Sequence, residues 1–159
     1  LVGSEMCIRD SYTVNYGIYG SQTSKTNITA QNTEINLGGN SQGKDETYNA
    51  TGIYNAGIEN YGGDFLAKNL KITGMMQGNF IGINNSGKFA ADNIDIQAVS
   101  ESGSMYGIKN TGTGGLDFKD VNIELELKSG YALTGIKSKS NLTADNINIK
   151  LQNGTQDCM

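Results

Sequence analysis

The sequence predicts an all-β protein, a single-stranded parallel β-helix (solenoid) of about five coils. Three observations predict this fold. A short pattern recurs five times between residues 12 and 151. Each copy alternates apolar and polar residues with the period of two that is typical of strands. The chain of 159 residues also has 22 glycines and 19 asparagines but no proline, histidine or tryptophan, and glycine and asparagine both disfavour helix.

The clearest repeated element is an Asn or Asp anchor followed by alternating apolar residues. An apolar pair precedes each anchor, and a Gly-Ile dipeptide precedes each pair. We therefore predict three short strands per repeat, separated by turns. The anchors are Asn32, Asn69, Asn93, Asp120 and Asn146. The glycines assigned to the Gly-Ile element are Gly17, Gly52, Gly82, Gly107 and Gly135.

One repeat cannot bury its apolar row alone, but neighbouring repeats can cover it by stacking. In-register parallel pairing would place Ile94 over Leu70, Val121 over Ile94 and Ile147 over Val121. Neighbouring coils would then lie about 4.8 Å apart. This stacking predicts a rod with an apolar interior.

The anchors have a structural role in such a stack. Asparagine amides on neighbouring coils can both donate and accept hydrogen bonds, so we predict a ladder along the rod. Asparagine also tolerates the left-handed backbone that a sharp corner requires. Asp120 should interrupt the ladder because a carboxylate only accepts. If the flanking apolar residues point inward, the Gly-Ile glycines point outward. They would then allow a tight bend or a close approach of the backbone, or leave a flat groove for a ligand.

The first residues of the chain do not resemble the repeats. Residues 1–10 match the translation of a transposase-type sequencing adapter, whose last two nucleotides begin a codon that fits Ser11. We therefore expect residues 1–11 to derive from the adapter and residues 12–159 to be a fragment of a β-helix repeat domain. Cys7 would then be foreign, and Cys158 alone cannot form a disulfide framework within the chain.

Composition and charge exclude several functional classes. The net charge of −4 argues against nucleic acid as a partner. No run of 18 apolar residues is present, so no helical membrane span is predicted. Without histidine, Ser-His-Asp catalysis and histidine-ligated metal sites are excluded. We predict no catalytic residues, no metal site and no cofactor.

The Gly-Ile-x-Asn-x-Gly turns and Ala-x-Asn-Ile-x-Ile strands resemble the passenger regions of Gram-negative autotransporters, which adopt the pectin-lyase-like right-handed β-helix. The resemblance covers residues 12–151 and rests on repeat style. It implies right-handed coils and a non-catalytic, extracellular segment displayed on the bacterial surface, as in an adhesin. The implied partners are host glycans or matrix, other bacterial surfaces and the rest of the parent chain.

Insertions on one side of the repeats are the expected place for a ligand site. The two longest, residues 38–50 and 56–64, flank a predicted strand. Tyrosine rings beside carboxylates and amides can bind sugars by stacking and hydrogen bonding. The predicted ligand-binding residues are Tyr48, Tyr54, Tyr61 and Asp64, with Asp45, Glu46 and Glu59 nearby.

A carbohydrate-active module, which binds or cleaves polysaccharide, is the alternative function. Cleavage by hydrolysis would require paired carboxylates at a fixed separation. The repeat places several carboxylates at outward positions, where polar residues are expected in any case. These are Asp92, Asp95, Asp120, Glu124 and Asp145.

Overall fold

A computed structural model describes residues 14–20, 27–37 and 54–154 as ten β-strands arranged in two parallel sheets. The Gly sheet, named for its Gly-Ile elements, comprises β1 (Val14–Gly20), β3 (Tyr54–Asn60), β5 (Asn79–Asn85), β7 (Ser104–Asn110) and β9 (Ala132–Ser138). The Asn sheet, named for its anchors, comprises β2 (Ile28–Leu37), β4 (Phe65–Met76), β6 (Phe89–Ser100), β8 (Leu116–Leu127) and β10 (Leu142–Asn153). The strands of the Gly sheet are in the order β1-β3-β5-β7-β9, and those of the Asn sheet in the order β10-β8-β6-β4-β2. The predicted parallel solenoid is confirmed.

The predicted stacking register is also confirmed. Leu70 pairs with Ile94, Ile94 with Val121, and Val121 with Ile147. Leu70, Ile94 and Val121 are each 1% exposed. The apolar row therefore runs unbroken through these coils, as the alternation of the repeats predicts.

The prediction of three separate strands per repeat was wrong, because the apolar pair and the anchored element that follows it form one continuous strand. Four strands of the Asn sheet are 12 residues long, and each strand of that sheet bends at its anchor. All five anchors have a left-handed backbone, with φ between 48° and 60°. A single left-handed residue turns the strand without ending it. Asn and Asp adopt this conformation more readily than most residues.

The glycines of the Gly sheet face the interior, so their predicted outward orientation was wrong. A Cβ atom built on Gly82 would lie 3.0 Å from two atoms of the Ile96 side chain and 2.5 Å from the carbonyl oxygen of Gly107. Gly107 faces Ile123 in the same way. A row of glycines thus packs against a row of isoleucines and allows a close approach to the backbone of the neighbouring coil. Among the described residues these glycines do not line an outer groove.

One glycine was also assigned to the wrong residue. The structure pairs Tyr16 with Ala56 and Ile18 with Ile58, which places Gly57 rather than Gly52 in the glycine row. Residues 56–60 consequently belong to β3 and not to an insertion. Gly52 itself lies outside the described residues.

Two columns of asparagine run along the rod. In the corner ladder, formed by the five anchors, Asn69 donates to Asn32 Oδ1 at 2.8 Å and Asn93 donates to Asn69 Oδ1 at 2.9 Å. Asn146 donates to Asp120 Oδ1 at 2.9 Å. Among the described residues, no hydrogen bond joins Asp120 to Asn93. At this step of the ladder the Asp120 carboxylate faces the Asn93 amide oxygen, and both groups are acceptors.

The buried ladder comprises Asn60, Asn85 and Asn110, each 1% exposed and each at the end of a strand of the Gly sheet. Asn60 Nδ2 donates to Asn85 Oδ1 at 2.8 Å, and Asn85 Nδ2 donates to Asn110 Oδ1 at 3.1 Å. Each amide also donates to a glycine carbonyl in the following turn, at 2.7 to 3.0 Å. These bonds close the turns that lead from the Gly sheet to the Asn sheet.

Candidate binding surface

The outer face of the Gly sheet carries two rows of side chains on either side of the inward glycines, and three of these side chains are buried. Ala56 is 0%, Ile81 3% and Glu59 1% exposed. Strand pairing defines both rows. The first, the Tyr16 row, contains Tyr16, Ala56, Ile81, Tyr106 and Thr134. The second, the Tyr19 row, contains Tyr19, Glu59, Asn84, Lys109 and Lys137. Aromatic and acidic residues lie towards β1, and lysines lie towards β9.

Three tyrosines form a cluster at the β1 end of this face. The ring centroids of Tyr16 and Tyr19 are 5.0 Å apart at an interplanar angle of 50°. The rings of Tyr19 and Tyr61 meet edge to face at 5.9 Å. Tyr19 is 53% exposed, so one ring of the cluster remains open to a ligand while its neighbours support it. Such aromatic contacts stabilise the arrangement beyond the area that they bury.

Glu59 lies beneath this tyrosine cluster and is 1% exposed. Asn84 Nδ2 donates to Glu59 Oε1 at 2.7 Å, and the same carboxylate raises the pKa of the Tyr61 hydroxyl. The amide of Asn84 compensates for part of the cost of removing this carboxylate from water. The buried carboxylate therefore lies next to the ring pair of Tyr61 and Tyr19.

The same arrangement raises the pKa of two tyrosine hydroxyls in the cluster, those of Tyr16 and Tyr61. Burial, followed by the hydrogen bond to Glu59 and its negative charge, raises the pKa of Tyr61 well above its usual value. Burial and the charge of Glu59 also raise the pKa of Tyr16. Protonated phenols can both donate and accept hydrogen bonds, as recognition of hydroxyl groups requires.

The lysines at the other end of the face gather over one aromatic ring. Lys109 Nζ lies 5.4 Å from the ring centroid of Tyr106, and Lys137 Nζ lies 5.8 Å from it. Lys109 and Lys137 are direct neighbours on adjacent coils. Two ammonium groups therefore share one ring, within the range at which a cation is attracted to an aromatic face.

The structure brings together only part of the predicted site. Tyr48 lies outside the described residues, as do Asp45 and Glu46. Tyr54 begins β3, but its side chain is outside the description. Tyr61 belongs to the tyrosine cluster. Asp64 is exposed, and its backbone holds the turn before β4, since its N–H donates to Asn27 Oδ1 and its carbonyl accepts from Ile28.

Sequence analysis missed Tyr16 and Tyr19 because neither belongs to an insertion. It also treated Glu59 as a loop residue, whereas Glu59 is a buried strand residue. The signal that would have found them is the register. Once Gly57 is aligned with Gly17, Tyr19 and Glu59 fall at the same position of neighbouring coils.

The carboxylates considered for catalysis lie along the Asn sheet and do not converge. Asp95 accepts from Asn122 at 2.8 Å and from Gln97 at 3.0 and 3.2 Å, so it is part of a polar row on one face. Within residues 14–20, 27–37 and 54–154, no three acidic or cysteine side chains gather closely enough to hold a metal ion. The same ranges form no helix of the length and apolarity that a bilayer crossing requires.

Comparisons with protein-family models, with curated proteins and with solved structures each found no match. The geometry of the chain itself therefore has to support any functional proposal.

Proposed function

We propose that the chain is a non-catalytic segment of an extracellular β-helix that is displayed on a bacterial surface, of the kind found in adhesins and autotransporter passengers. The observation that carries the proposal is that the inward and outward sides of the strands differ in how much their residue types vary from coil to coil. Inward rows repeat the same residue types from coil to coil, whereas the outward Tyr19 row changes at almost every coil.

Uniform inward rows and variable outward rows are what a rod with a binding surface requires. The inward rows stack on identical or similar neighbours, so coils can be added without redesigning the core. The outward rows are free to vary because they do not determine the stacking. A rod built in this way can hold a binding face at a distance from the cell, and it needs no reacting groups to do so.

The test uses cells that carry the gene. Antibodies raised against the full chain should label intact cells, and external protease should remove that label while a cytoplasmic marker survives. Labelling that appears only after the cells are permeabilised would overturn surface display. Raising the antibodies against the folded chain ensures that they report the solenoid.

A second candidate, a carbohydrate-binding module, is favoured by the tyrosine cluster above Glu59. A sugar ring could stack on Tyr19, and its hydroxyls could bond to the phenol of Tyr61. Binding of neutral and acidic oligosaccharides to the full chain tests this candidate, with Tyr19→Ala as the variant. Tyr131→Ala is the matched control, because Tyr131 is 95% exposed and lies outside the cluster.

Loss of binding in the Tyr19 variant alone would support the module. Equal binding by both variants and the unsubstituted chain would show that the tyrosine cluster is not the site. Turnover of any oligosaccharide by the unsubstituted chain would contradict the non-catalytic assignment. The carboxylates of the Asn sheet would then be the candidate catalytic groups.

A further inference from the structure

Lys109 and Lys137 carry like charges on directly opposed positions of β7 and β9. Such cross-strand pairs repel one another. Neither lysine forms an ion pair with any other residue in the described ranges, where the salt bridges are those of Lys71 with Glu34 and of Lys128 with Glu126. The ring of Tyr106 is the group that both ammoniums approach.

The ring holds these ammoniums in place but does not neutralise them. A tyrosine face attracts a cation through its quadrupole and carries no net charge. The two lysines therefore present adjacent positive charges that remain uncompensated within the described structure. An anionic group placed between them would relieve the repulsion and accept hydrogen bonds from both.

We propose that Lys109, Lys137 and Tyr106 form a subsite for the carboxylate or sulfate group of an acidic glycan. The inference rests on the carbohydrate-binding candidate, because the tyrosine cluster would hold the uncharged part of the same polymer. Tyr16 and Tyr106 belong to one row and are separated by three strand spacings, which is about 14 Å. Ala56 and Ile81, which lie between them in the row, are 0% and 3% exposed, so an oligosaccharide that contacts both ends has to bridge this covered stretch.

The net negative charge of the chain makes this subsite selective. With a formal charge of −4, the chain does not attract anions in general. At physiological ionic strength, however, charges farther away than about 8 Å are largely screened. The local pair of lysines therefore determines what binds at this end of the face, and affinity for an acidic glycan should fall as salt is added.

The test is calorimetric titration of the full chain with three oligosaccharide probes. Hyaluronan fragments carry carboxylates, chondroitin sulfate fragments carry carboxylates and sulfates, and dextran fragments are neutral. The variant is Lys109→Gln with Lys137→Gln. The matched control is Lys119→Gln with Lys150→Gln, which removes the same charge from exposed positions of the Asn sheet.

We expect the acidic probes to bind and the variant to weaken that binding at least about tenfold, while the control loses less than about threefold. Binding of both acidic probes would identify carboxylate as sufficient. Binding of chondroitin sulfate alone would identify sulfate. The midpoint of urea unfolding should change little in the variant, because the relief of the repulsion between the lysines offsets the loss of their contacts with the Tyr106 ring.

Two results would overturn the subsite. One is equal weakening in the variant and the control, which would show a general effect of charge. The other is an absence of preference for the acidic probes over dextran. If dextran binds and Tyr19→Ala abolishes its binding, the carbohydrate-binding candidate survives and the anionic subsite alone fails. If none of the probes binds, both fail.

Discussion

The corner ladder and the buried ladder use the same side chain in opposite surroundings. Asn69 and Asn93 are exposed, and within the described ranges their amides bond to one another and to Asn32. Asn85 is 1% exposed, and its amide also holds the carbonyl of Gly87. In the corner ladder water can replace a lost bond, whereas in the buried ladder it cannot.

The difference explains which substitution each ladder tolerates. Asp120 already occupies one position of the corner ladder, where it accepts from Asn146 and keeps the left-handed backbone. A carboxylate in the buried ladder would face the glycine carbonyl to which the amide now donates. The corner positions therefore select mainly for backbone conformation, and the buried positions select for the amide itself.

The largest effect should come from a charge in the apolar row on which both ladders depend. Ile94→Asp buries an unpaired carboxylate between Leu70 and Val121, so we expect the free energy of unfolding to fall by at least about 5 kcal/mol. Urea unfolding followed by circular dichroism measures it. Gln97→Asp adds the same charge at an exposed position of β6. Equal stability of the two variants would contradict the stacked core.

The next effect compares the ladders directly. Asn85→Asp places an acceptor against the Gly87 carbonyl, which the amide now meets at 2.7 Å, and should cost roughly 2 to 4 kcal/mol. Asn69→Asp makes the same change in the corner ladder and should cost less than about 1 kcal/mol. Unfolding curves of the two variants at pH 7 test this difference. Similar losses would mean that burial does not distinguish the ladders.

A third pair of variants separates two contributions to stability in the corner ladder, the left-handed backbone conformation and the hydrogen bonds of the amide. Asn93 has φ of 60°, so Asn93→Ala should cost roughly 1 to 2 kcal/mol, mainly through left-handed strain. Asn93→Gly loses the same hydrogen bonds but accepts the left-handed backbone freely, so its melting temperature should exceed that of the alanine variant. The reverse order would show that the amide bonds dominate even at the exposed corner.

The smallest effect is a gain. Asp120→Asn supplies the donor that is missing between Asp120 and Asn93, and it keeps a residue that adopts positive φ readily. We expect the free energy of unfolding to rise by about 0.5 to 1 kcal/mol. Thermal melting at neutral pH, with Asp117→Asn as the exposed control on the same strand, measures the change. A loss of stability would mean that the carboxylate has a structural role of its own.

The sequence predicted the Asn sheet more accurately than the Gly sheet, and the spacing of the repeats explains why. In the Asn sheet the anchor and the alternating residues after it are adjacent, so the register follows directly. In the Gly sheet, Gly52-Ile53 and Gly57-Ile58 both match the repeat. The distance to the next strand distinguishes them, since Gly82 lies 7 residues before Phe89 and Gly57 lies 8 before Phe65, whereas Gly52 lies 13 before it.

The candidate site was harder to predict for a related reason. The outer face of the Gly sheet is assembled from residues some 25 to 40 positions apart, such as Tyr19, Glu59 and Asn84. Their proximity depends on the register of the Gly sheet, which the sequence had misassigned by five residues. The site was predicted in the insertions because their length can be read directly from the sequence. The tyrosine cluster, in contrast, forms only when the coils stack.

The directions of hydrogen bonding in the two ladders have an electrostatic consequence for a long rod. In the corner ladder each amide donates towards the earlier coil, as Asn93 does to Asn69, whereas in the buried ladder each donates towards the later coil, as Asn60 does to Asn85. The dipoles of the two columns therefore oppose one another. An α-helix accumulates partial charge at its ends because its dipoles align. Here the dipoles of the two columns largely cancel, so together they add little charge separation between the ends as the solenoid lengthens.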